Sequence, residues 1–174
     1  MNKDGNNVFN EEGFNAFFKE NQKIAFSFAY SILLNREDAK DAVQEGFMKF
    51  YKVLNRIDKN KNFKAYLLQI IKNVCFDMLN KRKQTESIES LALKETKDAI
   101  ENIDRKKIIK EAMKILNKQE RMVVSLLTFE GFSSIEVAEI LNISDSTVRN
   151  HYMNGRNKIK NFIIKNYPEY ARSI

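Results

Sequence analysis

Apolar residues recur at helical spacing along most of the chain and predict a protein built of helices. The clearest pattern lies within residues 36–55, where apolar or small residues occur at offsets 0, 3, 4, 7, 8, 11, 12 and 15 and form one face. Further helices are predicted over residues 10–34 and 63–81, and residues 55–62 break the pattern and are predicted to be a loop. The first part of the chain is therefore expected to be a three-helix unit.

A segment with few large apolar side chains and no aromatic ones separates this unit from a second helical region. We interpret this segment, residues 82–104, as a linker. The expected organisation is all-α, with an N-terminal domain over residues 10–81 and a C-terminal domain over residues 105–168.

The C-terminal region contains the spacing of a helix-turn-helix. Asn117 with Glu120 and Ser133 with Glu136 fit capping boxes, which mark helix starts. The second box opens a short helix, a three-residue turn follows, and a longer helix begins at Asp145. In such motifs the second helix enters the major groove of DNA by its N-terminal end.

Composition excludes several other classes of protein. Of the 174 residues, 43% are hydrophobic, and there are only five glycines and one proline, too few turn residues for a β-rich fold. One cysteine excludes a disulfide framework, and one histidine leaves few routes to a metal site. No glycine-rich phosphate loop or catalytic triad is visible, so neither an enzyme nor a cofactor is expected.

The uncharged stretches and the start of the chain give no sign of membrane insertion. The longest stretch without a charged residue has twelve residues, 24–35, whereas a membrane-spanning helix needs ~20. The first residues form no apolar signal segment. We therefore expect a cytoplasmic protein.

Charge is uneven along the chain and suggests a polyanionic partner. The net charge is +7, and residues 105–174 contribute 13 basic and 7 acidic side chains of the total. Nucleic acid is the commonest polyanionic partner of such a region. The charge alone is equally consistent with a nucleic-acid partner and with an ordinary lysine-rich surface exposed to solvent.

The helix-turn-helix supplies candidate DNA contacts. Arg149, Asn150 and Met153 lie near the start of its second helix, where Arg can pair with guanine and Asn with adenine. A helical hairpin with a solvated polar face is the alternative. Phosphate contacts are expected from Ser144, Ser146, Thr147, Arg156, Lys158 and Lys160.

Two further stripes of side chains could bind a partner. Asp41, Gln44, Glu45 and Met48 fall at offsets 0, 3, 4 and 7, opposite the apolar face of the second helix. The residues alone favour a simpler explanation: acidic side chains near the start of the helix and lysines near its end complement the helix dipole. On the third helix, Gln69, Lys72, Asn73 and Phe76 share one face. This mixture suits single-stranded nucleic acid, but it fits an ordinary surface equally well.

Several segments, taken together, resemble bacterial RNA polymerase sigma factors. Residues 38–47 (DAKDAVQEGF) look like the helix that binds core polymerase, and residues 63–73 (FKAYLLQIIKN) resemble the promoter-reading helix that follows it. Residues 116–121, 131–141 and 147–156 resemble the C-terminal sigma domain. The order and the size match the extracytoplasmic-function (ECF) group of the sigma-70 family, which keeps only these two domains.

This resemblance implies roles for the candidate residues. The polymerase-binding set would be Asp38, Asp41, Gln44, Glu45 and Met48. The set that captures the melted −10 strand would be Asp58, Lys59, Asn60, Lys61, Asn62, Phe63, Tyr66, Gln69, Lys72 and Asn73. The helix-turn-helix would read the −35 element as duplex DNA.

The resemblance also implies partners, namely core RNA polymerase, promoter DNA and an inhibitory anti-sigma factor. The chain departs from the family at Gly155, where alanine is common, and this glycine is expected to cost the helix up to ~1 kcal/mol. The residues alone leave two alternative functions open. The chain could be a free-standing helix-turn-helix regulator that acts without polymerase, or a helical adaptor that binds only proteins.

Overall fold

The structure is a computed structural model that describes residues 11–58, 60–85 and 103–173, and within these ranges every regular element is helical. The all-α prediction is confirmed. A 3-10 turn follows α2 at Leu54–Arg56 and another follows α7 at Pro168–Ser173, and a π-helical turn, Ser125–Phe129, continues α5. The helices are α1 (Glu11–Leu33), α2 (Arg36–Val53), α3 (Phe63–Thr85), α4 (Ile103–Lys114), α5 (Lys118–Val124), α6 (Ser134–Leu141) and α7 (Asp145–Asn166).

The first three helices pack on one another and form the N-terminal domain. Their core is built around the fully buried side chains of Phe28, Phe50 and Ile71. Helices α2 and α3 approach closely at Gly46, where a Cβ atom would lie 2.5 Å from Cγ1 of Ile71. Asn35 caps α2, because its side chain accepts hydrogen bonds from the first N–H groups of the helix.

Helices α4 to α7 form the C-terminal domain, and its predicted capping boxes are both present. The chain reverses after the π-helical turn at Gly131, which has a φ of 70°. Helix α6 ends at Asn142, which adopts the left-handed conformation, and α7 begins three residues later. The helix-turn-helix predicted from the sequence is therefore present, with Val137, Ile140 and Val148 buried inside it.

The structure differs from the predicted linker at the start of this segment, whereas the end of the segment was expected to be partly helical. Helix α3 continues to Thr85, four residues beyond the expected end at 81, and α4 begins at Ile103. Residues 86–102 lie outside the described residues.

The predicted apolar face of two helices is also too wide. The apolar pattern of the helix-turn-helix predicts a core position for Ile135, but this side chain is 73% exposed. The pattern of α4 likewise places Ile109 and Ile115 on its apolar face, and both are exposed. Helix α6 has only eight residues and buries a narrow stripe. On α4 the buried positions are spaced four apart, at Ile108 and Ala112, with the exposed isoleucines to either side.

The two domains are in contact. Helix α5 packs on α1 and helix α6 packs on α3, and one hydrophobic cluster runs through both domains. The Arg121 guanidinium is buried between them, where its Nε donates to the backbone oxygen of Ser31 at 2.6 Å. The candidate surfaces of the two domains therefore have a defined relative position.

Candidate docking surface and nucleic-acid interface

The acidic and amide stripe of α2 faces outward. Asp41, Gln44 and Glu45 are exposed, and Met48 is 54% exposed although it is apolar. The Glu45 carboxylate accepts from Lys49 one turn later at 2.8 Å. The buried face of the same helix holds it against α1 and α3, so the stripe is presented on a rigid element.

An apolar groove of about 900 Å³ runs between α1 and α2 beside this stripe. Its lining is mainly aromatic and aliphatic, with two lysines and several amides among them. Sequence reasoning did not include α1 in the docking surface, because the phenylalanines of this helix fitted a core-facing pattern equally well. The groove is lined by Phe14, Asn15, Phe18, Gln22, Lys23, Phe26, Lys40, Val43, Gln44, Phe47, Met48 and Tyr51.

Asp38 differs from the other residues of the predicted polymerase-binding set. Its Oδ2 atom forms an ion pair with the guanidinium of Arg82 at 2.6 Å, which links α3 to the start of α2. The side chain is only partly exposed. Its contact in this structure is therefore within the N-terminal domain.

The loop before α3 is organised by its own polar side chains. The Asp58 side chain accepts from the N–H of Asn60 at 3.0 Å, and the Asn62 side chain accepts from the N–H of Ala65 at 3.1 Å, which caps α3. Asp58, Asn60, Lys61 and Asn62 are all exposed. Lys59, which belongs to the same predicted set, lies outside the described residues.

The rings at the start of α3 are half-buried. The ring of Phe63 lies edge-on to Phe50 with the centroids 6.3 Å apart, and Tyr66 lies 6.4 Å from the same ring. Asn73, further along the helix, is exposed. These rings could support a base inserted from the loop side.

Gln69 and Lys72 are engaged by the other domain. The Gln69 side-chain amide donates to the backbone oxygen of Glu139 at 2.9 Å. The Lys72 ammonium donates to the oxygens of Ile140 and Leu141 at 3.4 and 3.1 Å. Burial lowers the pKa of Lys72. The structure thus places two predicted −10 contacts against the end of α6.

The N-terminal end of α7 is accessible. Ser144 caps the helix by accepting from the N–H of Thr147 at 3.1 Å, and its hydroxyl also hydrogen-bonds to those of Ser146 and Thr147. Unpaired helical N–H groups near such a cap favour phosphate. The three hydroxyl groups predicted to bind phosphate are therefore clustered.

The predicted base-reading side chains follow on the exposed side of α7. Arg149, Asn150 and Met153 are exposed. Arg149 pairs with Asp145, and hydrogen bonds from the Ser134 hydroxyl and the Arg149 guanidinium hold the pKa of the Asp145 carboxyl below its ordinary value. The guanidinium of Arg149 therefore has a partner on its own helix at the exposed start of α7.

Two predicted phosphate contacts on α7 differ in their surroundings. Arg156 is exposed, whereas the Lys158 ammonium lies 2.8 Å from both carboxylate oxygens of Glu120, whose side chain is 4% exposed. Burial alone would raise the pKa of Glu120, but hydrogen bonds from Lys158 and the Asn117 N–H hold it below its ordinary value. Lys158 therefore has a partner within the domain that the sequence pattern did not reveal.

Gly155 has a packing role that the sequence did not reveal. A Cβ atom at this position would lie 2.9 Å from Cγ2 of Val124 and 3.4 Å from Cβ of Glu120. The glycine thus lets α7 approach α5 closely. The glycine is expected to lower the stability of α7 as a helix, and it also allows the tight contact between α7 and α5.

Neither a metal cluster nor a membrane span is found in the described part of the chain. Among those residues, no three His, Cys, Asp or Glu side chains are grouped so that they could hold a metal ion. No helix there has the length and apolar character to cross a membrane.

Comparisons with known proteins agree on one family. The model of Sigma-70 region 2 matches residues 17–85, and that of Sigma-70, region 4, matches residues 106–159. The ECF RNA polymerase sigma factor SigW of Bacillus subtilis is 26% identical over 150 residues, which cover 78% of this chain and 80% of that protein.

Two solved structures have the same fold. The sigma factor RpoE, in complex with the anti-sigma factor NepR from Bartonella quintana, gives a TM-score of 0.73 at 21% identity and covers 86% of this chain and 96% of its own. CnrH, in complex with the cytosolic domain of CnrY, gives a TM-score of 0.70 at 20% identity. The match covers 90% of this chain and 91% of CnrH. With two family models that together match more than half of its length, the chain belongs to the sigma-70 family and is an ECF-type, promoter-directing transcription initiation factor.

Proposed function

We propose that the chain docks on core RNA polymerase through α2, reads the −35 duplex with α7, and holds the melted −10 strand with the loop 58–62 and α3. The observation that carries this proposal is the exposed stripe and apolar groove of α2. A concave surface lined mainly by aromatic and aliphatic side chains, with a few polar groups beside them, is a typical place for a partner to bind. The chain would direct a polymerase and would itself catalyse no reaction.

The docking surface combines shape with charge. The groove provides an apolar centre in Phe18, Phe47 and Met48. The acidic residues Asp41 and Glu45 are exposed on the same helix, α2. Buried apolar anchors supply most of the affinity at such interfaces, while exposed charges mainly set orientation and the rate of association. A helical partner with basic residues beside an apolar stripe fits this arrangement.

The −35 interface rests on the start of α7. The Ser144 cap and the neighbouring hydroxyls offer hydrogen bonds to phosphate and would fix the register of the helix on the duplex. Arg149 and Asn150 would then read base edges in the major groove.

The −10 interface rests on a different chemistry. A base turned out of the strand needs a pocket and a ring to stack on, and the loop lies beside the half-buried rings of Phe63 and Tyr66. Because both readers belong to one chain on one polymerase, the second contact becomes intramolecular, and two modest interfaces give a selective complex.

The structural relatives suggest a regulator. RpoE is described with the anti-sigma factor NepR, and CnrH with the cytosolic domain of CnrY. We propose that an anti-sigma factor likewise binds this chain and keeps it from polymerase. The chain would act in the cytoplasm, where polymerase and promoter DNA are found.

A pair of charge reversals tests the docking assignment. Glu45→Lys should reduce the fraction of the chain that co-elutes with core polymerase in gel filtration. The matched control is Glu20→Lys, which makes the same charge change at an exposed position of α1 outside the groove. Equal co-elution of both variants, with circular dichroism showing both folded, would remove α2 as the docking surface.

A further inference from the structure

An acidic side chain lies at the point where α7 is expected to meet DNA. Asp145 is the first residue of α7. The three hydroxyl groups predicted to bind phosphate lie within two residues of it, on Ser144, Ser146 and Thr147. A carboxylate beside bound phosphates repels them, whatever the DNA sequence. The position therefore opposes DNA binding unless the carboxylate contributes something else.

The helix dipole explains this acid only in part. A negative charge in the first turn of a helix is favourable by itself, and it needs no contact with another side chain. Asp145 instead pairs through Oδ2 with the guanidinium of Arg149, one turn further along α7. Its Oδ1 atom is shielded from solvent. The carboxylate is therefore directed at the side chain that was predicted to read guanine.

The Asp145 carboxylate is also held by α6. Hydrogen bonds from the hydroxyl of Ser134, the first residue of α6, and from the Arg149 guanidinium keep the pKa of this carboxyl below its ordinary value. The group is therefore charged at neutral pH. The Asp145 side chain is 29% exposed, whereas that of Arg149 is 69% exposed. Asp145 is thus the better anchored member of the pair.

The pair leaves the guanidinium able to read a base. The contact with Asp145 uses Nη2 of Arg149, and a guanidinium carries five N–H donors in a planar fork. Recognition of guanine uses donors to two acceptors, O6 and N7. Arg149 therefore has enough donors to keep its carboxylate partner and to bind a guanine as well.

Such a pair favours specific over non-specific binding. The carboxylate limits the orientations of the guanidinium, which lowers the entropy lost when that group meets a base edge. It also offsets the positive charge that would otherwise attract Arg149 to any phosphate. Both effects raise the ratio of specific to non-specific affinity, and this ratio determines which sites are occupied in a genome.

We propose that Asp145 is a positioning residue for −35 recognition, which holds Arg149 for guanine and keeps it from phosphate. This inference rests on the proposed function, since it concerns the same duplex-reading helix. The specificity at the base pair that Arg149 contacts would then be set by the Asp145–Arg149 pair rather than by Arg149 alone.

A double-mutant cycle in the polymerase-bound full chain tests this role. Wild type, Asp145→Ala, Arg149→Ala and the double variant are each combined with core polymerase, and binding is measured by competition among promoter fragments that differ in single −35 base pairs. Asp145→Ala should lower the preference for the best −35 sequence by about fivefold or more, the lower end of what a bidentate Arg–guanine contact provides. In the Arg149→Ala background the same substitution should change the preference by less than about twofold, because the two residues act as one unit.

The salt dependence of binding provides a second readout, which a purely structural role would not change. It is measured on a promoter fragment with a scrambled −35 element. In Asp145→Ala the released guanidinium can contact a phosphate, so the slope of log affinity against log salt concentration should steepen by up to about 0.9. The matched control is Glu139→Ala, which removes an acidic charge at an exposed position of α6 in the same motif. It should change neither the slope nor the −35 preference.

The possible results separate this inference from the proposed function. Equal −35 preference of wild type and Asp145→Ala, or equal effects of Asp145→Ala and Glu139→Ala, would overturn the inference. An undiminished effect of Asp145→Ala in the Arg149→Ala background would also overturn it and would indicate that Asp145 accepts directly from a cytosine. If Arg149→Ala leaves the preference unchanged, the −35 part of the proposed function fails as well, whereas a loss confined to Arg149→Ala refutes only the role of Asp145.

Discussion

Removing the ammonium of Lys158 separates a structural role from a DNA-binding one. Glu120 is nearly inaccessible, and Lys158 contacts both of its oxygens at 2.8 Å. In Lys158→Met the carboxylate loses its charged partner and keeps only its capping bond to the Asn117 N–H at 3.1 Å. The variant should therefore unfold more easily even in the absence of DNA.

The expected loss is about 1–2 kcal/mol in the free energy of unfolding. A hydrogen bond to a charged group contributes roughly 1.5–3 kcal/mol, and breaking a fully buried ion pair costs roughly 3–5 kcal/mol. Because the Lys158 side chain is 47% exposed, water compensates part of the loss.

Urea denaturation provides the measurement, with Lys160→Met as the control. Lys160 is an exposed lysine on the same helix, and its substitution should change stability by less than about 0.5 kcal/mol. The midpoint of Lys158→Met should fall at an unchanged slope. Equal stability of the two variants, with a smaller salt dependence of DNA binding for Lys158→Met, would refute this reasoning and leave Lys158 a phosphate contact.

The same pair predicts the effect of acid. In the folded chain the pKa of Glu120 lies below its ordinary value of 4.5. The ion pair with Lys158 therefore stabilises the fold fully above pH 4.5, and this stabilisation is lost as the pH falls through the lowered pKa. The stability difference between wild type and Lys158→Met should therefore shrink below about pH 4.5. A difference that stays constant to the lowest pH at which the chain is folded would contradict the assignment.

Three further predictions concern single positions. Gly155→Ala should lower the free energy of unfolding by about 1–2 kcal/mol, because overpacking against Val124 outweighs the gain in helix propensity; a higher urea midpoint would contradict this. Ser133→Ala should cost about 0.5–2 kcal/mol by removing a capping box, measured by the same titration, and an unchanged midpoint would count against it. Arg149→Ala should weaken discrimination between −35 sequences by about 1–3 kcal/mol in competition binding, whereas an equal loss on all sequences would mark a phosphate contact.

The sequence predicted the features that depend on neighbouring residues. Capping boxes such as Ser133 with Glu136 need only four consecutive positions, and both are present in the structure. Helix periodicity likewise located the helices to within a few residues. The turn between α6 and α7 was predictable for the same reason.

Features that depend on distant contacts were not predictable. The partner of Lys158 is 38 residues away, and the packing role of Gly155 appears only when α5 lies against α7. The apolar pattern and the Asn117 cap predict one helix over residues 118–130, but the helix passes into a π-helical turn after Val124. Periodicity also could not tell that Phe14 and Phe18 line an open groove, since core and groove positions follow the same pattern.

Transcription in a reconstituted system tests the central claim most directly. Core RNA polymerase would be mixed with the purified chain and a library of promoter fragments, and the transcripts would be sequenced. The account predicts initiation that requires the chain and that shares one −35 and one −10 sequence among the active fragments. Chain-independent transcription, or binding of the chain to DNA without any effect on polymerase, would contradict it.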